Sequence, residues 1–356
     1  MRYKDLVEYE DLGQEKEQII STISGLSADN QDEANLLDRI WKILNSGTIS
    51  TNIDNAFDIP LQDENMGDKE KLLVRQDMTK IFSTIESDYK TMDTLLKRLE
   101  QGGAVDVGAL SKPLNTFSAV FGDEVGSSAF RKLAAYGVGK KQKGPGEYGL
   151  ACLSNKIRLA AGEGDLEVDG IGKVELKAAM SSSGGRIGYG GGSQKAKRAV
   201  LEKYKEKLPT VIGAIGAKGG SLGLGPFMNA LNTDLPTSEP NNQKIRKSLM
   251  LDLLQMDMEN YAGPIADKVA TTEDASQVEL TYLAQNFEWY KNRDNFDALL
   301  LMSIPNQKTA MLRNANDLAA FRQGGHAGGL AISIIPTQAG AGREQWAQLT
   351  LNKAMI

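Results

Sequence analysis

Residues 165–178 read DLEVDGIGKVELKA, from Asp165 to Ala178. Leu166, Val168, Val174 and Leu176 alternate with polar residues on both sides of Gly170-Ile171-Gly172. Period-two alternation around a glycine-bearing turn is the pattern of two half-buried antiparallel strands. Loop parity then sets the facing. The four apolar residues share a face only across a loop with an odd number of residues. A three-residue loop over 170–172, with a glycine in the left-handed region, fits a common hairpin and pairs Asp165 with Lys177 and Glu167 with Glu175. A five-residue loop keeps the same facing, whereas an even one splits the apolar set. With odd parity, Asp165, Glu175 and Lys177 project together from the face opposite the apolar four.

Two carboxylates and an ammonium on one face call for a partner, and a divalent cation, Mg²⁺ or Mn²⁺, is the obvious one. Hard cations take oxygen ligands and keep several waters. Such an ion orients an attacking water and offsets charge developing on a phosphate. The plainer reading is the charged outer face of a surface hairpin. Upstream, Gly144-Pro145-Gly146-Glu147 opens an apolar-rich segment over 148–159. Pro145 suits a first helical turn, and a carboxylate at Glu147 complements the helix dipole. Glu147 therefore reads both as a capping acid and as a third acid ahead of the hairpin.

Taken together, Glu147, Asp165 in GDLEVDG, and Glu175 with Lys177 in VELKA resemble the PD-(D/E)xK nuclease superfamily. There a helix acid precedes a strand Asp, and Glu-x-Lys follows on the next strand. Here glycine stands before Asp165. The resemblance implies a restriction-endonuclease-like core, a mixed sheet flanked by helices. It also implies metal-dependent hydrolysis of phosphodiester bonds, with Glu147, Asp165 and Glu175 as metal ligands and Lys177 placing water or charge. The stretch SGGRIGYGGG that follows is similar to glycine-rich tails after Glu-x-Lys in nuclease-like proteins of tailed phages.

The chain has 356 residues and a formal net charge of −5. Its charge is unevenly spread. Residues 131–207 hold 16 Lys or Arg against 8 Asp or Glu. A basic centre between acidic flanks suits a local polyanion site rather than a whole surface that grips nucleic acid. Lys140, Lys141 and Lys143 run directly into Glu147, and either contact a phosphate backbone or line a solvated loop. Arg186, Lys195, Lys197 and Arg198 are further candidate nucleic-acid contacts. The single cysteine, Cys152, allows no disulfide within the chain and reads as a buried, inert thiol. The first residues, MRYKDLVEYED, are charged and lack the apolar core of a signal peptide. No run approaches the roughly 20 apolar residues of a membrane span. The one histidine, His326 in GGHAGG, is a weak candidate base or ligand.

Four regions follow from the patterning. Residues 1–136 read as helical: 32–45 are amphipathic, and a long helix over 68–100 packs either on its neighbours or on another chain. Residues 137–207 form the nuclease-like core and 208–295 a mostly helical insertion. Apolar runs at 298–304, 309–312, 330–335 and 345–351 are expected to complete the sheet begun by the hairpin. The expected class is α/β or α+β with a mixed sheet. The expected function is a Mg²⁺-dependent DNA endonuclease, located in the host cytoplasm or in a virion. The second reading is a structural virion or assembly protein that meets its own copies or other virion proteins through the long helix.

Overall fold

The computed structural model describes residues 31–45, 79, 81–82, 85, 89–134, 144, 146–160, 162–180, 186–187, 194–217, 221–324, 330–336 and 349–351. The chain divides into two compact units, one of residues 1–110 and 116–170, the other of 111–115 and 171–356. The class is α+β, with a mixed six-stranded sheet in the order β1-β8-β7-β4-β3-β2 and a separate four-stranded sheet.

The first unit is mainly helical. Helices α1 (Gln31–Asn45) and α2 (Tyr89–Glu100) bury Ile40, Ile43 and Leu44 on one and Leu95, Leu96 and Leu99 on the other. Arg39 clamps the pair: its Nε and Nη2 donate to both oxygens of Glu100 at 3.0 and 2.7 Å, and its Nη1 donates to Asp93. The helix expected over 68–100 is interrupted: residues 79 and 81–82 are helical, and a bend at Ile85, whose N–H donates to Phe82 O at 3.2 Å, precedes α2.

After the short α3 (Val107–Leu110) and β1 (Asn115–Thr116) come α4 (Phe117–Phe121) and α5 (Glu124–Ala134). Thr116 caps α4 by accepting from Ala119 N, and Gly122 at φ 84° ends it. Phe117, Phe121 and Phe130 form a fully buried triad with centroids 4.4 to 5.4 Å apart. Each such ring contributes about 1.5–3 kcal/mol of burial. Helix α6 (Glu147–Leu153) stops earlier than the apolar run suggests. Ser154 is extended, Asn155 N donates to Gly102 O at 2.9 Å, and Ile157–Leu159 becomes strand β2. It pairs antiparallel with β3 (Leu166–Val168), Ile157 opposite Val168.

The second unit begins at the hairpin turn. Asp169, Gly170 and Ile171 form it, with Gly170 at φ 77° and Gly172 at φ 104°. Strand β4 (Gly172–Ala179) follows, then β5 (Arg186–Ile187), α7 (Gln194–Glu202) and a 3-10 turn at Lys205–Lys207. Next are α8 (Pro209–Ala217), β6 (Leu222–Gly223), α9 (Leu224–Asp234), α10 (Pro240–Met258), α11 (Ala262–Thr271) and α12 (Ala275–Asp294). The unit continues with β7 (Ala298–Ser303), β8 (Lys308–Leu312), α13 (Ala315–Gln323), β9 (Leu330–Ile335) and β10 (Leu349–Leu351). The stretch 208–295, expected to be mostly helical, is so, and after it the chain returns to a strand parallel to β4. A parallel pair needs such a crossover.

Strand β7 is buried at all six positions, as its apolar run ALLLMS demands of a strand covered on both faces. Its register with β4 is pinned at one end. Asp297 N donates to Lys173 O, and Lys173 N donates to Asp297 Oδ2, both at 2.8 Å. A Cβ on Gly172 would lie 2.1 Å from that same Oδ2, so glycine is needed there for space as well as for φ.

The last strands part company. β7 and β8 pair antiparallel and extend the sheet that holds β4. β9 and β10 do not; they pair with β6 and β5 in the four-stranded sheet. The expectation that all four late strands complete one sheet is corrected on that point. Apolar runs mark strands but carry no address for their partners.

Candidate active site

The turn spans 169–171 rather than the expected 170–172, and is still three residues long. Leu166, Val168, Val174 and Leu176 are at most 5% exposed, and Glu175 and Lys177 lie two residues apart on the other side of β4. That other side is not a solvent face. Glu175 and Lys177 align in register with Leu299 and Leu301 of β7, which belong to the hydrophobic core built with α8 to α12. Glu175 is 7% exposed. A charged outer face of a surface hairpin is therefore excluded for this residue.

Glu175 is held at one oxygen. Lys177 Nζ donates to Oε1 at 2.5 Å, and the hydroxyl of Tyr290 donates to the same atom. Among the described residues no donor reaches Oε2. Tyr290 comes from α12, which Asp274 caps by accepting from Ser276 N at 2.8 Å and which ends at Asn295 in the left-handed region, φ 49°. The last turn of α12 thus delivers Tyr290 to β4. Its ring lies 5.8 Å from Lys177 Nζ and 5.2 Å from the Arg293 guanidinium carbon, and packs edge-on against Phe296 at 5.1 Å. Arg293 also stacks on Trp289 at 4.9 Å, and Asp294 accepts from it through both carboxylate oxygens.

The remaining site residues belong to the first unit. Glu147 is the first residue of α6 and is 4% exposed; its Oε1 accepts from Gly144 N at 2.5 Å. Gly144 lies outside α6 and the helix start carries no side-chain cap bond, so Glu147 complements the dipole from the first turn but does not cap the helix. Asp165 stands half-buried just before β3, its carbonyl accepting from Ala160 N at 3.0 Å. Among the described residues, no group of three or more His, Cys, Asp or Glu side chains is arranged to hold a metal ion. Cys152 is buried, and burial pushes its thiol up to about 12, the state of an inert thiol. Burial, helped by the Glu147 charge, likewise pushes the Tyr148 phenol up to about 12.

The expected nucleic-acid contacts fare unequally. Lys195 and Arg198 are exposed on α7. Lys197 is fully buried and is withdrawn from that set. The signal was present in QKAKRAVLE: Gln194, Lys197, Val200 and Leu201 recur at three- and four-residue steps and form the buried stripe of α7. Arg186 lies on β5. Lys140, Lys141, Lys143 and His326 fall outside the described residues. No described helix is long and apolar enough to cross a membrane.

Two polar residues that matter were not singled out from the sequence. One is Tyr290, 115 residues beyond Glu175. The other is Arg246 on α10, fully buried, which donates to Val269 O (2.7 Å), Leu235 O (2.8 Å), Thr272 O (2.9 Å) and Asn232 Oδ1 (3.0 Å). No protein-family model matches the chain, and neither a curated protein nor a solved structure matches it.

Proposed function

We propose that the chain is a metal-dependent phosphodiester hydrolase acting on DNA, with Glu175 and Lys177 at its centre. The observation that carries this reading is the state of Glu175. It is a buried carboxylate on an inner strand, fixed at Oε1 by Lys177 and Tyr290, with Oε2 reached by no donor among the described residues. Oε2 is thus an acceptor with no described donor on a residue only 7% exposed, and a hard cation is a ligand that suits it. Mg²⁺ typically takes one or two carboxylates and fills its shell with water and substrate phosphate oxygens, so a full protein cage is not required. The order of elements supports the same reading. An acid opens a helix (Glu147), an Asp precedes a strand (Asp165), Glu-x-Lys lies on the next strand, and a crossover leads to a parallel strand.

A bound Mg²⁺ supplies Lewis-acid polarisation of the phosphate and a more acidic water. The chain's own residues do the rest. Glu175 offers Oε2 as a ligand. Lys177, a compact point charge on a flexible stem, would offset the charge gained by a phosphate oxygen as water bonds to phosphorus and the P–O bond to one sugar breaks, the leaving oxygen taking up a proton. The exposed Lys195 and Arg198 on α7 give the backbone a cationic approach.

The test is plasmid nicking with Mg²⁺ and an EDTA control. Wild-type protein is expected to nick. Glu175→Gln keeps size and removes the ligand charge, and Lys177→Met removes the ammonium; both are expected to abolish nicking, with Mn²⁺ binding lost in the first and kept in the second. A wild-type protein that neither cuts nucleic acid nor binds Mg²⁺ or Mn²⁺ in calorimetry overturns the enzyme and leaves the hairpin as part of an assembly protein.

A further inference from the structure

A glutamate on a strand has three rotatable bonds, and its last torsion is broad and nearly two-fold. Left alone, the two oxygens of Glu175 exchange places. Tyr290 prevents this. It is 2% exposed, has fewer rotatable bonds, and its ring is fixed edge-on against Phe296. Its hydroxyl donates to Oε1, and the ring face holds the Lys177 ammonium at 5.8 Å. A single aromatic residue from α12 therefore touches both the carboxylate and the ammonium of the Glu-x-Lys pair.

We infer that Tyr290 is a positioning residue of this site: it fixes Glu175 by Oε1 so that Oε2 faces a divalent cation, and its ring orients Lys177. The inference rests on the metal-dependent reading above. Residues that orient a metal-binding carboxylate or imidazole from behind typically contribute about 10–100-fold in affinity or activity.

Tyr290→Phe removes the hydroxyl and keeps the ring. Tyr290→Leu removes both. Calorimetry with Mn²⁺ alone on the full chain measures the metal site without nucleic acid, and nicking rates over a Mg²⁺ series measure it with substrate. For Tyr290→Phe the expected result is Mn²⁺ affinity weakened about tenfold. The Mg²⁺ concentration for half-maximal nicking rises by a similar factor, and the rate returns close to wild type at saturating Mg²⁺. Tyr290→Leu is expected to lower the saturated rate as well, because Lys177 loses its ring. Equal Mn²⁺ affinity in wild type and Tyr290→Phe overturns the inference and leaves the cleavage reading standing. A lower saturated rate in Tyr290→Phe with unchanged metal dependence also overturns it, since that is a merely structural loss. A wild type that neither binds Mn²⁺ nor nicks overturns both.

Discussion

Arg246 is surrounded by carbonyl oxygens, whereas Lys177 lies against a carboxylate, and the two cations belong to the same unit. Arg246 spreads four hydrogen bonds over the ends of α9 and α11 and the segment after each. No acid accepts from it among the described residues. Lys177 makes its described hydrogen bond to Glu175, which Tyr290 shares. The difference teaches how to tell a structural charge from a chemical one. A guanidinium whose donors are spent on backbone carbonyls that no helix can satisfy is a splice. A carboxylate with one oxygen tied and the other reached by no described donor is what the proposed cation would use.

The comparison breaks first on stability. Arg246→Met strips partners from three backbone carbonyls and from Asn232, at sites water does not easily reach. Each unsatisfied buried group costs about 1–3 kcal/mol, and the losses overlap. A total of about 3–5 kcal/mol is expected, in the range for breaking a buried polar network. Urea unfolding followed by tryptophan fluorescence measures it. A loss under about 1 kcal/mol would mean that Arg246 is no splice.

At the hairpin the expected stability effects are smaller and of mixed sign. Glu175→Gln keeps an acceptor for Tyr290 and removes a buried charge, so a change within about 1 kcal/mol is expected, with stabilisation allowed. Lys177→Met leaves Glu175 charged with Tyr290 as its remaining described donor and should cost about 1–3 kcal/mol. Combining the two should cost less than their sum, because the second change removes the charge that the first one stranded. Strict additivity would show that the two groups are not coupled, which would dissolve the pair as a unit.

What was legible in the sequence follows the same division. Glu175 and Lys177 could be read together because a strand puts residues i and i+2 on one face, and period-two alternation marked the strand. The glycines of the turn and the helical character of the stretch before the returning strand were legible too. Tyr290 was not, because nothing local links it to a residue 115 positions earlier. Arg246 sits in NNQKIRKSL, which reads as an ordinary cationic helix surface; its burial depends on where α9 and α11 end. The same limit explains Ile85. Its apolar spacing suggested one continuous helix, whereas it lies in a bend. Met302 and Ile332 both lie in apolar strand runs, yet they belong to different sheets.

The smallest effect concerns protons, and it separates the splice from its surroundings. Burial draws Arg246 below the ordinary guanidinium value, with Glu273 pulling the other way. Even so, an arginine stays charged at any working pH, so Arg246 itself adds no pH dependence. Glu273 does. Its Oε1 accepts from Thr237 N at 2.9 Å and Thr237 Oγ1 at 3.0 Å, and its carbonyl accepts from Asn232 Nδ2 at 2.9 Å. It thus ties the segment after α9 to the segment after α11, the same two that Arg246 ties through Leu235 O and Thr272 O. The Thr237 backbone bond lowers the Glu273 carboxyl below its ordinary 4.5, the Thr237 hydroxyl adds to this, and the Arg246 charge contributes least. A carboxylate with a lowered folded pKa stabilises the fold above its unfolded value, and that contribution is lost as pH falls through the folded value. Wild type and Glu273→Gln should therefore differ most at neutral pH and converge as the pH falls below about 4.5. The gap will be small, because the carboxylate is exposed and water screens it. Urea midpoints of both proteins at pH 7 and pH 3 measure it. A gap that stays constant or widens in acid would show that the junction is held by Arg246 alone, with Glu273 a bystander.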